Sequence, residues 1–269
     1  MADYTAPLAD MRFALDTVAG LPRLAQLPGF AHAAPDLVEA VMDGAATLAS
    51  EVIAPLNVIG DRQGSRLENG VVRTPDGFKE AYKAYVDGGW NALAFHEEIG
   101  GQGLPHALNI CVTEMWTSAC MAWALNPLLT VGAVEALEIH GSEELKRRYL
   151  GKLVSGEWTA SMNLTEPQAG SDVGAMRTRA TREGDHYRVK GQKIFITYGE
   201  HDLTPNIVHM VLARSPDGPP GTAGLSLFLV PKYPANEDGS LGAKNDLRAV
   251  SLEHKLGIHA SPTCVMAYG

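Results

Sequence analysis

The chain changes its periodicity near residue 157, and that change bounds what it can fold into. Before it, apolar residues recur every three to four positions, the spacing of one helix face. After it, they come in short β-branched and aliphatic runs. Helices followed by strands do not fit an alternating βα fold. They predict two consecutive parts of different class.

In the first part, residues 7–21 place Leu8, Met11, Leu15 and Val18 on one face, and Pro22 and Pro28-Gly29 break the pattern. Residues 36–59 align Leu37, Val41, Ala45, Leu48, Val52 and Leu56, with Pro55 expected to kink or end the helix. Thr74-Pro75-Asp76 predicts a third helix with Thr74 as N-cap, carrying Phe78, Tyr82 and Tyr85 as far as Gly88-Gly89. Residues 108–125 and 127–139 read as two buried helices, and Gly141-Ser142 as a stop and a new N-cap before a last helix ending near Gly156.

Strands are expected at 178–180, 186–189, 193–197, 207–213, 225–230, 250–253 and 263–268, with a hairpin turn at Glu183-Gly184-Asp185. The expected class is α+β: an all-helical domain followed by an antiparallel β-barrel. Residues 1–35 form an extension, 36–157 the helical domain and 158–269 the β-domain.

Charge narrows the function. Lys and Arg number 22 against 31 Asp and Glu, a net −9, which argues against general nucleic-acid binding. No continuous apolar run approaches the roughly 20 residues of a membrane span. Met1-Ala2-Asp3-Tyr4 lacks the basic start of a secretory leader, so a cytoplasmic location is expected. Cys111, Cys120 and Cys264 have no zinc spacing and read as buried free thiols.

Four segments carry chemistry. In Met162-Asn163-Leu164-Thr165-Glu166-Pro167-Gln168-Ala169-Gly170-Ser171-Asp172, Pro167 and Gly170 bracket a tight turn. A positive φ at Gly170 would let successive N–H groups form an anion nest, with the Ser171 hydroxyl beside it, suited to a diphosphate. In Gly191-Gln192-Lys193-Ile194-Phe195-Ile196-Thr197-Tyr198, strand alternation puts Phe195 and Thr197 on one face, an aromatic plane and a hydroxyl for a planar ring. Each segment alone also reads as an ordinary loop or strand.

Glu97-Glu98-Ile99-Gly100-Gly101-Gln102-Gly103-Leu104-Pro105 lacks the third glycine of a dinucleotide loop and reads as a helix connector, its acids solvated. His254 and His259 lack a third ligand and do not make a metal site.

Taken in order, EEIGGQGLP, LTEPQAGSD, GQKIFIT and KLGIHASPT resemble the acyl-CoA dehydrogenase family from about residue 36 onward. TAPLADMRF and HASPTCVM look like its long-chain subgroup, which includes 3-methylthiopropanoyl-CoA dehydrogenases. The resemblance implies a helical domain, a β-barrel and a C-terminal four-helix bundle, the last absent from this chain. It implies FAD held without a Rossmann motif, by Met162, Leu164, Thr165, Gly170, Ser171, Phe195 and Thr197. Thr165 and Thr197 would meet the flavin ring, Phe195 would stack beside it, and Ser171 would serve the diphosphate region and the substrate. The family commonly has Trp at Phe195, Asn at Tyr198 and Arg at His259.

The implied oxidoreductase reaction is α,β-dehydrogenation of an acyl-CoA: a carboxylate takes the α-proton while the β-hydrogen passes to flavin N5 as hydride. The family's catalytic Glu lies in the C-terminal domain, and no acid here matches it, so the base is expected outside this chain and the chain alone is expected to be inactive. Glu97, Glu98, Glu166 and Asp172 are not nominated. An electron-transferring flavoprotein is the implied electron acceptor and a homo-oligomer the implied assembly, with neither nucleic acid nor membrane as partner. An acyl-CoA oxidase, or a non-catalytic flavin- or acyl-CoA-binding module, are the alternatives.

Overall fold

A computed structural model describes residues 4–269. The leader reading rests largely on Met1–Asp3, which lie outside the described residues. The helical part runs α1 (Leu8–Phe13), α2 (Leu21–Leu24), α3 (Pro35–Leu48) and α4 (Ala54–Gln63). A β-hairpin follows, β1 (Arg66–Glu68) and β2 (Val71–Arg73). Then come α5 (Phe78–Asp87), α6 (His106–His140), α7 (Glu143–Leu145) and α8 (Gly151–Val154). The second part holds β3 (Thr159–Asn163), β4 (Arg179–Glu183), β5 (His186–Thr197), β6 (Ile207–Arg214), β7 (Leu225–Pro231), β8 (Leu247–Leu252) and β9 (Thr263–Tyr268).

Several expectations change. Val18 is exposed, because α1 widens into a π turn at Ala14–Val18 that rotates it off the buried face of Met11 and Leu15. Pro55 does not end its helix. A π turn at Ala49–Ile53 lets the Ala54 N–H reach back to Ala49 O, and Pro55 then sits in the first turn of α4, where its missing N–H costs little. The buried face runs through Met42, Ala45, Ala49, Ile53 and Leu56, and Leu37 is exposed.

Thr74 is not an N-cap. Its hydroxyl donates to Asp202 at 2.7 Å, tying β2 to the loop after β5, and Gly77 stands at the start of α5 instead. The break in the long apolar stretch falls at Cys120 (φ −156°), not near residue 126. The hairpin β1–β2 means that the first part is not all-helical. Ser142 does cap the next helix, accepting from Leu145 N at 3.3 Å.

By length and composition α6 could cross a membrane, which corrects the reading from continuous runs. Its apolar residues are instead spent inside the protein. Leu108, Val112, Met115, Trp116 and Trp123 pack among the helices, and Val134 and Leu137 pack with Trp158, Ala160 and Val208. Each such fully buried side chain contributes roughly 1.5–3 kcal/mol.

The sheet is mixed rather than antiparallel, and it is not closed among the described residues. Its order is β3-β6-β4-β5-β9-β8, with β7 also on β6. β3 runs parallel to β6 from Thr159↔Ile207 to Asn163↔Val211, and β4 meets β6 in parallel at Arg179↔Arg214. The two runs expected at 186–189 and 193–197 are one strand, and the strand β3 escaped the sequence reading. Thr159, Ser161 and Asn163 are polar but buried. Their partners are His201 at 2.9 Å, His209 at 2.7 Å and Tyr268 at 2.7 Å.

The parts share a core. Tyr198, Leu203 and Ala260 pack into the helical cluster. All three cysteines are free and buried.

Candidate functional site

β3 delivers the first motif. Glu166 N donates to Ala169 O at 2.9 Å and Ala169 N to Glu166 O at 3.0 Å, closing the turn around Pro167-Gln168. Gly170 does not take a positive φ, so the expected nest does not form. What Gly170 provides is clearance: a Cβ there would meet only Thr165 Cγ2, at 3.8 Å. Gly170, Ser171 and Asp172 are exposed, as is Met162, while Leu164 and Thr165 are half-buried.

β5 delivers the second motif, with an irregularity that the sequence did not announce. Lys193 lies opposite Met266 and Ile196 opposite Cys264, so β5 carries one extra residue, a β-bulge. Phe195 sits in it at φ 58°, a conformation that costs a non-glycine residue of order 1–3 kcal/mol. Plain alternation would put Lys193 with Phe195 and Thr197. Instead Lys193 is fully buried, Phe195 is 58% exposed and Thr197 is half-buried, so the bulge overrides the period-two argument.

The two motifs are stitched together. Ile194 N donates to Thr165 O at 2.9 Å. Lys193 Nζ donates to Leu164 O at 2.8 Å and to Glu166 Oε1 at 2.9 Å, and lies 3.2 Å from Met176 Sδ. Glu166, 3% exposed, also accepts from Arg177 N at 2.7 Å, Thr178 N at 2.9 Å and Gln168 Nε2 at 2.6 Å. Burial alone would raise the Glu166 pKa. Hydrogen bonds from Thr178, Arg177 and Lys193 overcome it and bring the carboxyl down to about 2. Burial pulls the Lys193 ammonium below its ordinary value, and Glu166 opposes that. Each Glu166 oxygen takes two donors, so the carboxylate is a structural anchor and not a free base.

Sequence reasoning left this pair unassigned. The signal was a lysine inside an apolar run, which is rarely buried without a partner. Tyr198 was also missed. It is buried at φ 50°, and its hydroxyl donates to Ala122 O at 2.6 Å, two residues past the break in α6.

The glycine-rich segment is a connector, as read. Gly101 N donates to His96 O, Gln102 N to Ala92 O, Gly103 N to Phe95 O and Leu104 N to Leu93 O, each at 2.9–3.0 Å. Glu97 and Glu98 are exposed. In the last segment, His259 Nδ1 lies 2.8 Å from Asp61 Oδ1 and Nε2 lies 3.0 Å from Lys255 O. Both partners are acceptors. Its neighbour His254 stands 5.9 Å away, ring to ring.

Comparison with known proteins decides the family. The model of the acyl-CoA dehydrogenase N-terminal domain matches residues 38–157, and that of the middle domain matches residues 161–268. The chain belongs to the acyl-CoA dehydrogenase family. The 3-methylmercaptopropionyl-CoA dehydrogenase of Ruegeria pomeroyi is 49% identical over 98% of this chain and 45% of its own length. A glutaryl-coenzyme A dehydrogenase solved with glutaryl-CoA superposes with a TM-score of 0.69 at 26% identity, over 88% of this chain and 54% of that one. An acyl-CoA dehydrogenase of Bacillus anthracis complexed with FAD shares the fold, with a TM-score of 0.67 at 24% identity, over 88% of this chain and 36% of that one. The chain thus spans about half the length of the curated relatives it matches, and within it two of the four segments, LTEPQAGSD and GQKIFIT, meet at the Thr165–Ile194 seam.

Proposed function

We propose that this chain is the flavin-binding portion of an FAD-dependent acyl-CoA dehydrogenase, which desaturates an acyl-CoA thioester between Cα and Cβ. The observation that carries the reading is Phe195. Its aromatic ring is held outside the core by a strained bulge, beside two half-buried threonines. Backbone strain and an exposed aromatic side chain together suit a ligand surface better than a packing role.

The residues present fit a flavin. Phe195 offers a face for a planar ring, and Thr165 and Thr197 offer hydroxyls to its polar edge. Met162 and Leu164 flank it. Gly170 gives clearance for a diphosphate, and Ser171 gives a donor to it or to the substrate. FAD, when bound, supplies the acceptor for the hydrogen that leaves Cβ.

The α-proton needs a base. Glu166 is saturated by donors, and Glu97 and Glu98 extend from a self-bonded connector. The proposal therefore places the base in a part of such a protein that this chain does not cover. Family membership supports an electron-transferring flavoprotein as electron acceptor and a homo-oligomer as the assembly. The identity to the Ruegeria pomeroyi enzyme makes 3-methylthiopropanoyl-CoA the first thioester to try.

The test is an FAD titration of the purified chain, followed by flavin fluorescence and the visible spectrum. Quenching and a shifted band are expected, with affinity weakened about ten-fold in Phe195→Ala. Absence of binding, both here and in a longer protein that contains this chain, overturns the reading. Anaerobic and aerated arms with added thioester separate the dehydrogenase from an oxidase.

A further inference from the structure

A buried ion pair is a weak way to gain stability, because desolvation offsets most of the attraction. Lys193–Glu166 is therefore better explained by the geometry that it imposes. Lys193 Nζ meets three partners, Leu164 O, Glu166 Oε1 and Met176 Sδ. Glu166 in turn gathers the N–H groups of Arg177 and Thr178. The pair thus ties β5 to both ends of the turn that carries Gly170 and Ser171.

The strand bulges immediately after Lys193. On a regular strand, residues 193 and 195 would share a face. Here residue 193 goes fully inward and residue 195 goes outward. We infer that the Lys193–Glu166 pair is the positioning device of the flavin surface: drawing the ammonium inward onto Leu164 and Glu166 is what turns Phe195 out and sets Thr165 beside it. The inference rests on the flavin reading above for its functional consequence, but not for its geometry. Neither residue touches the ligand in this scheme. Both act through Thr165 and Phe195.

Two readouts test it. The first needs no flavin. A cysteine placed at position 195 by Phe195→Cys is labelled with a thiol reagent, the native cysteines being buried. The comparison background is the neutral double variant Lys193→Met with Glu166→Gln, which avoids leaving one charge buried alone. Circular dichroism confirms that both backgrounds are folded, and Lys193→Met alone, which leaves Glu166 its donors Gln168, Arg177 and Thr178, is the fallback if the double variant is not. Labelling about ten-fold slower in the neutral background is expected, as position 195 turns inward.

The second readout is the bound flavin, with Phe195 restored. The neutral variant should bind FAD about ten-fold more weakly and show an altered visible band, a signature that a purely structural role would not move. Equal labelling of position 195 in the two backgrounds overturns the inference, as does a folded neutral variant with unchanged FAD affinity and spectrum. If neither the unaltered chain nor a longer protein that contains it binds FAD, the flavin reading fails, and the labelling still decides the positioning role.

Discussion

The two glycine-bearing turns, residues 97–105 and 164–172, resemble each other in composition and differ in how they use their backbone. The first is closed on itself. Four consecutive amides, from Gly101 to Leu104, donate back to the segment 92–96, and a Cβ on Gly101 would fall 2.0 Å from Phe95 O. Glycine there makes room for the protein's own chain. The second closes only its own Glu166–Ala169 pair and is also held from outside by Lys193, and a Cβ on Gly170 would meet nothing nearer than Thr165 Cγ2, at 3.8 Å. Glycine there is not needed to make room for the protein's own chain. The lesson is that a glycine's role follows from what would fill the missing side chain's place, and a sequence does not show that.

The sharpest way to break this contrast is a matched pair of substitutions. Gly101→Ala should destabilise by about 3 kcal/mol in chemical denaturation, since backbone must move. Gly170→Ala should stay within about 0.5 kcal/mol of the parent and weaken FAD instead. Equal stability losses at the two sites would erase the distinction.

Acid should act next. The lowered Glu166 pKa adds stability above its ordinary value of 4.5, and that contribution is lost as pH falls from 4.5 toward 2. The full loss is of order 3 kcal/mol. His201 and His209, pushed down to about 3 by burial, begin earlier: the unfolded chain takes up protons below pH 6.5 while the folded chain does not. Global stability should therefore start to fall below pH 6.5. Protection of the Arg177 and Thr178 amides should yield specifically below 4.5, as read by hydrogen exchange.

The first turn should respond weakly and in the opposite direction. The hydrogen bond to Glu138 raises the His96 pKa, so that contact is present below pH 6.5 and is lost as pH climbs through the folded value. His96 is largely exposed, so the effect should be at most a few tenths of a kcal/mol. Amides 101–104 should loosen slightly on the alkaline side, where those of residues 177 and 178 do not.

Much of this was legible beforehand. The run β9 (Thr263–Tyr268) matches its expected bounds and Ser142 caps as expected. What was hidden has a common cause. Pro55, Cys120 and Phe195 each depart from a regular repeat, through a π turn, a break and a bulge. Repeats are read from spacing, and a single inserted residue changes which side chain faces inward without changing composition. β3 was hidden differently. Its buried side chains Thr159, Ser161 and Asn163 are polar, so it lacks the apolar signature that marks a strand.

The covalent chain passes from helices to sheet once, at residues 155–158, and a single joint leaves rotation free. The Tyr198 hydroxyl on Ala122, the Ser65 hydroxyl on Ala260 and the Thr74 hydroxyl on Asp202 add fixings at separate places. Fixings spread over separate places remove that rotation. The end of the Phe195 strand and the break in the long helix are thereby parts of one rigid frame, in which displacing α6 at Ala122 displaces Tyr198, the residue after Thr197.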